Sequence, residues 1–340
     1  MNADLEPIEI DLGDIKDLEP YNPDGPAFTV SQSMIKSFSQ YKRQSLCGLL
    51  FVEMHINGNT LDLLDSQAIR LGHYFEHKVT GAVPRNGVVP EVELYKVSGG
   101  KEGAKYKVGD PKPQFLHAER QAQNCLAYMK AMKLTVIASN IRVDNGLGRG
   151  VLDIVAQVAP EAWEDVVNDC RIPGSGTEPY GIYPSMRRED CVFIHPETGE
   201  AFEGCIVLDL KYSGLLHDRW NELGWDLDSL PDKVSHTTQA KHYAWITGLP
   251  FFFFVFSSKT EDAKIIRINI DPSVLDPESP SCWGIRVMAV REMILAGIRS
   301  NMFYPWPSIK ACSDCPLRET CQHRATIPPI SVVPVTPDTL

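Results

Sequence analysis

The sequence predicts an α/β fold. Helical periodicities and apolar, strand-like runs succeed one another along the chain, and two of those runs are each broken by a carboxylate. Hydrophobic residues make up 43% of the 340, enough for a real core.

Residues 1–26 are acidic, rich in Pro and Gly, and are expected to form a flexible arm. Ser31 to Phe51 reads as a helix, with Ser31 or Ser33 as its cap and Met34, Ile35 and Phe38 at helical spacing. Leu61 to Val79 reads as a second helix, residues 82–113 as a strand with exposed loops, and Phe115 to Lys133 as a third helix. A strand from Leu134 to Val143 leads through Gly146, Gly148 and Gly150 into the apolar strand that carries Asp153. The stretch from about 160 to 201 reads as an insertion between two strands. Cys205 to Lys211 is an apolar strand ending in charge, and Val234 to Thr247 a helix. Phe251 to Ser257 reads as a buried strand, too short to span a bilayer, and Ala263 to Ile270 as another. Ser281 to Arg299 is a long helix, and residues 327–340, with four prolines, are expected to be disordered.

The formal net charge of −11 argues against a protein that coats nucleic acid by bulk attraction, though a local basic groove remains open to it. Arg120, Lys130, Lys133, Arg142, Arg149, Arg187 and Arg188 are candidates to line one. The start of the chain has no signal-peptide pattern, so a soluble, cytoplasmic protein is expected, with its nine cysteines reduced.

Asp209 and Lys211 stand two apart on a strand, so both leave the same face. A salt bridge at a strand end explains them alone. Asp153, on another apolar strand, changes that reading: if the two strands pair around the insertion, Asp153 and Asp209 converge. Two close carboxylates repel, and a divalent cation relieves the repulsion. Gln239 and Tyr243 share a helix face at i and i+4 and can supply hydrogen bonds above such a site. Cys312, Cys315 and Cys321 are spaced as ligands of a metal or iron–sulfur cluster, with Cys47 as the natural fourth.

Strand-Asp153, Asp209-Leu-Lys211, Gln239-x-x-x-Tyr243 and Cys312-x2-Cys315-x5-Cys321 with Cys47 upstream together resemble the PD-(D/E)XK nuclease superfamily. More narrowly, they resemble its RecB-like branch with an iron–sulfur clasp, seen in AddB-type nuclease domains and CRISPR-associated adaptation nucleases. The resemblance runs from about Ser31 to Cys321. It implies a restriction-endonuclease-like central mixed sheet flanked by helices, within one nuclease domain over 27–326, and a helical layer closed by the four cysteines. It further implies a DNA nuclease, with Mg²⁺ or Mn²⁺ held by Glu76, Asp153, Asp209 and the Leu210 carbonyl. Lys211 would assist the attacking water, and Gln239 and Tyr243 would position substrate or lysine. Glu76, four residues after Gly72, takes the family's pre-sheet position; His73 or His77 can ligate instead. Cys47, Cys312, Cys315 and Cys321 would bind [4Fe–4S], with structural Zn²⁺ as the alternative and His323 as a substitute ligand. No Walker loop is present, so any helicase would be a separate partner.

Two rivals stand beside this reading. One is a non-catalytic DNA-binding or assembly protein on the same fold. The other is a zinc peptidase, since His73-x-x-Glu76-His77 matches the H-x-x-E-H pattern. That pattern leaves Asp153, Asp209, Lys211, Gln239 and Tyr243 unexplained.

Overall fold

The computed structural model describes residues 28–43, 46–57, 66–83, 89–96, 107–174, 185–214, 216, 230–300, 302–304, 312–313 and 315–322. The expected N-terminal arm, the C-terminal tail, His323 and the middle of the insertion lie outside these. The described residues fall into two compact units, where one domain was expected: residues 28–36 with 66–293, and residues 37–57 with 294–322.

The larger unit is an α/β body built on a six-stranded mixed sheet. Its strands are β1 (Val30–Ser31), β2 (Leu134–Asp144), β3 (Gly148–Val158), β6 (Cys205–Ser213), β7 (Phe251–Ser257) and β8 (Ala263–Ile268). A separate hairpin pairs β4 (Val192–Ile194) with β5 (Ala201–Glu203). The sheet order is β1-β3-β6-β7-β8, with β2 also on β3. β2 runs antiparallel along one edge of β3. The other edge is shared: β1 pairs parallel at Gly148 and Arg149, and β6 pairs antiparallel from Ile154 to Gln157. Residues 150–153 thus lie between the two ladders on that edge. β7 is parallel to β6 and antiparallel to β8.

β7 is buried at every position, as its run of five phenylalanines and one valine demands. Alternation along the strand sorts the helices into layers. Phe251 and Phe253 form an edge-to-face pair (4.9 Å between centroids), and Phe251 lies 6.0 Å from Tyr243 of α5 (Leu230–Thr247). Phe256 points to the other face, 5.4 Å from Phe75 of α3 (Gln67–Thr80), which follows α1 (Gln32–Lys42) and α2 (Gly48–His55) in the chain, and 6.1 Å from Tyr128 of α4 (Pro113–Ala131). The short helix α6 (Pro272–Leu275) and the long α7 (Trp283–Arg299) follow β8.

Helix α3 starts six residues later than Leu61, at Gln67, because the Ser66 hydroxyl caps the Ile69 N–H (3.3 Å); residues 61–65 are not described. It ends at Gly81, whose φ of 71° closes the helix in the left-handed region. Residues 82–113 contribute one isolated bridge, Leu94 to Pro111, and no longer strand among the described residues. The insertion is less peripheral than its composition suggests. Ala162, Trp163, Val166 and Val167 are buried, and the Trp163 indole donates to the Met186 carbonyl (2.8 Å).

Buried His242 joins α5, α7 and β3. Its Nε2 donates to the Arg149 carbonyl (3.1 Å), and its Nδ1 accepts from the Trp283 indole (3.2 Å). Burial pushes its pKa down to about 4.

In the smaller unit, the single helix expected over Ser31–Phe51 is two: α1 (Gln32–Lys42), which begins in the larger unit, and α2 (Gly48–His55). The Gly48 N–H donates to the Tyr304 carbonyl (3.1 Å) instead of continuing a helix. Glycine allows this approach, since a Cβ at 48 would stand 2.3 Å from that oxygen. Phe38, Tyr41, Phe51 and Phe303 pack together, with Phe51 stacked on Phe303 at 5.1 Å. The Tyr41 hydroxyl donates to the Met302 carbonyl (2.8 Å).

Candidate active site

The β3–β6 ladder pairs Ile154 with Leu208 and then stops. One step further, Asp153 faces Asp209. The backbone pairing is replaced there by a side chain: the Leu210 N–H donates to Asp153 Oδ2 at 2.8 Å. The convergence of these strands, expected from the sequence, is thus present. Asp209 is 2% exposed and pairs in the ladder with Phe253, so it faces the α5 layer. From that layer the Gln239 amide donates to Asp209 Oδ1. Asp209 Oδ2 meets the Lys211 ammonium as a charge contact.

Glu76 arrives from the other layer. Its neighbour Phe75 stacks on Tyr212 (5.2 Å), which points away from Lys211. The electrostatics join the four groups. Burial raises the Glu76 pKa, and the Asp209 charge raises it further, against Lys211 and a hydrogen bond from Asn140. Burial holds Asp153 well above the usual carboxylate range, with Asp209 adding to the effect. Burial also raises Asp209, which Lys211 partly offsets. Burial works against a charged Lys211, but Asp209, Asp153 and Glu76 outweigh it and raise its pKa. Lys211 keeps 27% of its side chain exposed, while its ammonium lies against Asp209 and 5.6 Å from the centroid of the buried Phe253 ring.

Such carboxylates and the Leu210 carbonyl are hard oxygen donors of the kind Mg²⁺ and Mn²⁺ take. Their mutual repulsion, and an Asp209 oxygen facing only a charge contact, fit a site built for a cation. Among the described residues, no three His, Cys, Asp or Glu side chains close around one point. The Lys211 ammonium, drawn onto Asp209, supplies positive charge there.

Other expected residues land differently. Gln239 holds Asp209, where phosphate or Lys211 was the expected partner. Tyr243 is 6% exposed, and its ring covers Gly150, where a Cβ would stand 2.5 Å from Cε1. His77 Nδ1 donates to the Ala82 carbonyl (2.8 Å) at the end of α3. Glu76 answers to Asp209, Lys211 and Asn140, with no histidine among its electrostatic neighbours. Of the basic candidates, Arg120 pairs with Glu261, Lys133 with Glu161, Arg187 with Asp190 and Arg188 with Glu203.

Asn140 escaped the sequence reading. Its signal was an amide in the middle of the strand Leu134 to Val143, a position where Asn is disfavoured.

The cysteines lie in the smaller unit. Cys47 stands at the N-terminus of α2, its side chain making no cap bond. Cys312, Cys315 and Cys321 lie on successive turns, with Cys315 N–H to Cys312 O (3.4 Å) and Cys321 N–H to Leu317 O (2.8 Å). Burial raises the Cys315 thiol pKa, and Cys47, Cys312 and Cys321 all add to the rise. Among the described residues, however, no three of these thiols group closely enough to hold a metal.

No family model matches the chain, and no curated protein matches it. The crystal structure of a protein designated SSO0001 aligns with 63% of this chain and 73% of its own. Identity is 11% and the TM-score 0.26, too low to carry an argument.

Proposed function

We propose that the chain is a Mg²⁺- or Mn²⁺-dependent deoxyribonuclease of the PD-(D/E)XK type, acting as an exonuclease on DNA. The observation that carries this reading is the meeting of Asp153 and Asp209 where β6 leaves the β3 ladder, with Lys211 beside them and Glu76 within their field.

Hydrolysis adds water across a P–O bond: the water oxygen joins phosphorus, and a sugar oxygen leaves with a proton. The cation held by Asp153, Asp209, Glu76 and the Leu210 carbonyl would lower the cost of charge on the phosphate and ease ionisation of the water. The chain's own groups do the rest. The Leu210 amide fixes one Asp153 oxygen, and Gln239 fixes one Asp209 oxygen, so both carboxylates are preorganised. Lys211, its pKa raised by its neighbours, suits a cation that stabilises charge building on phosphate better than it suits a base.

The spacing of Cys47, Cys312, Cys315 and Cys321 supports reading them as thiolate ligands, of [4Fe–4S] or alternatively of structural Zn²⁺. The role of such a group is structural, joining segments far apart in sequence. DNA is the partner, and unwinding would fall to a separate helicase. Among the described residues no helix is long and apolar enough to cross a membrane.

The test uses linear single- and double-stranded DNA with Mn²⁺. Wild type should cleave, and Asp209→Ala and Lys211→Ala should not. Equal cleavage by all three overturns the catalytic assignment. DNA binding without metal and without cleavage favours a non-catalytic protein on the same fold.

A further inference from the structure

The turn between β7 and β8 is held more firmly than a surface turn needs. The Ser257 N–H donates to the Asp262 carbonyl (3.0 Å) and closes it. The Ser258 N–H donates to the Ser213 carbonyl (2.9 Å), which carries the β6–β7 pairing one residue past the strand. The Ser257 hydroxyl accepts from the backbone N–H groups of Lys259 (3.1 Å) and Thr260 (3.0 Å). Gln121 of α4 is wholly buried, and its amide donates to the Ser257 and Thr260 carbonyls (3.2 and 2.6 Å). His117 Nε2 donates to the same Ser257 carbonyl (3.0 Å). A buried side-chain amide bonded to two turn carbonyls fixes the backbone that carries Ser258 and Lys259.

This fixed turn presents a cation without a counter-ion. Glu261 pairs with Arg120 and His117, and Asp262 accepts from the Thr260 hydroxyl (2.8 Å). Lys259 is exposed, and among the described residues no carboxylate pairs with it. Its side chain and the Ser258 hydroxyl close over Gly214, where a Cβ would stand 3.3 Å from both Lys259 Cε and Ser258 Oγ. Glycine there leaves bare backbone beside the two groups. Ammonium groups, hydroxyls and exposed backbone are the groups that take DNA phosphate oxygens. The place also suits the proposed substrate. Lys211 pairs with Val255, and Ser213 with Ser257 two residues further on. The turn therefore begins roughly 7 Å beyond Lys211 along the strand, which is about two base steps of a DNA strand.

We infer that the β7–β8 turn is a phosphate-binding site for the DNA strand. The Lys259 ammonium, with the Ser258 hydroxyl beside it and the bare backbone of Gly214 below, holds a backbone phosphate close to the one being cleaved. This rests on the reading of the chain as a DNA nuclease.

The test measures binding apart from cleavage. The intact chain is titrated into fluorescein-labelled single-stranded and duplex oligonucleotides, with Ca²⁺ in place of Mn²⁺, across a range of salt concentrations. Lys259→Ala should melt with wild type, bind about 10-fold more weakly, as befits one hydrogen bond from a charged group, and lower the salt slope by roughly 1. Lys259→Arg should keep most of the affinity and the slope. Lys107→Ala, which removes the same charge from an exposed position in the segment before α4, should change neither. Unchanged affinity and slope in a folded Lys259→Ala overturns the inference, as does an equal loss in Lys107→Ala, which would mark a bulk effect of charge. Wild type that binds DNA and leaves it intact with Mn²⁺ removes the nuclease reading alone, and the salt slopes still decide Lys259. Wild type that binds no DNA overturns both.

Discussion

The carboxylate site and the cysteine group are built in opposite ways. Asp153 and Asp209 sit on strands paired to neighbours, so their positions follow from the ladders around them. The cysteines sit at a helix N-terminus and on consecutive turns, and backbone pairing sets their places only loosely. The smaller unit holds these pieces with one aromatic cluster and the bond from Gly48 to Tyr304. A sheet can hold mutually repelling charges in place before any ligand arrives. Turns of this kind gain most of their order from the group they bind. Metal removal should therefore affect the two differently.

The largest effect expected is on chemistry alone. Asp209→Ala should slow DNA cleavage by about 1,000-fold, roughly 4 kcal/mol of transition-state stabilisation, and leave any absorbance near about 400 nm intact. EDTA should do the same to wild type. Loss of cleavage and colour together, in a kinetic assay run beside a spectrum, would break the comparison.

Next comes acid. His242 is neutral in the fold, with a pKa of about 4 against about 6.5 when unfolded. Its contribution is complete above pH 6.5 and is lost as pH falls toward 4, up to about 3 kcal/mol. Urea melts across that range should show the slope, and His242→Gln should flatten it. A slope unchanged in His242→Gln removes this residue as the cause.

Cys47→Ala should bleach the proposed cluster and lower the melting temperature by about 3 °C, the shift of roughly 2 kcal/mol in a chain of this size. DNA cleavage should survive at temperatures where the variant stays folded. Retained colour and stability would detach Cys47 from the other three. The smallest effect belongs to Gly150→Ala. The new methyl would press on the Tyr243 ring and cost about 1 kcal/mol, which urea unfolding can measure.

Much of the sheet was legible because its strands advertise themselves. The Phe251 to Phe256 run has no plausible place but a strand buried on both faces, and Asp153 and Asp209 stand out as lone carboxylates in apolar runs. Their convergence needed only the pairing of those two strands. What stayed hidden depends on contacts between distant residues. The break before Gly48 comes from a carbonyl 256 residues downstream, at Tyr304, which no local periodicity reports. Trp163 looked like part of a loop because its neighbours are polar, yet it is buried. Gln239 and Tyr243 share a helix face, but Gly150 decides that one lies in the core while the other reaches Asp209.

The bond from Leu210 to Asp153 makes that backbone amide a reporter. A ladder N–H ordinarily sees a neutral carbonyl, whereas this one sees a carboxyl group whose charge can change. In a proton–nitrogen correlation spectrum its resonance should move as Asp153 gains or loses its proton, and again when a cation draws on the same carboxylate. A single cross-peak would then follow the state of the whole site in solution, without substrate.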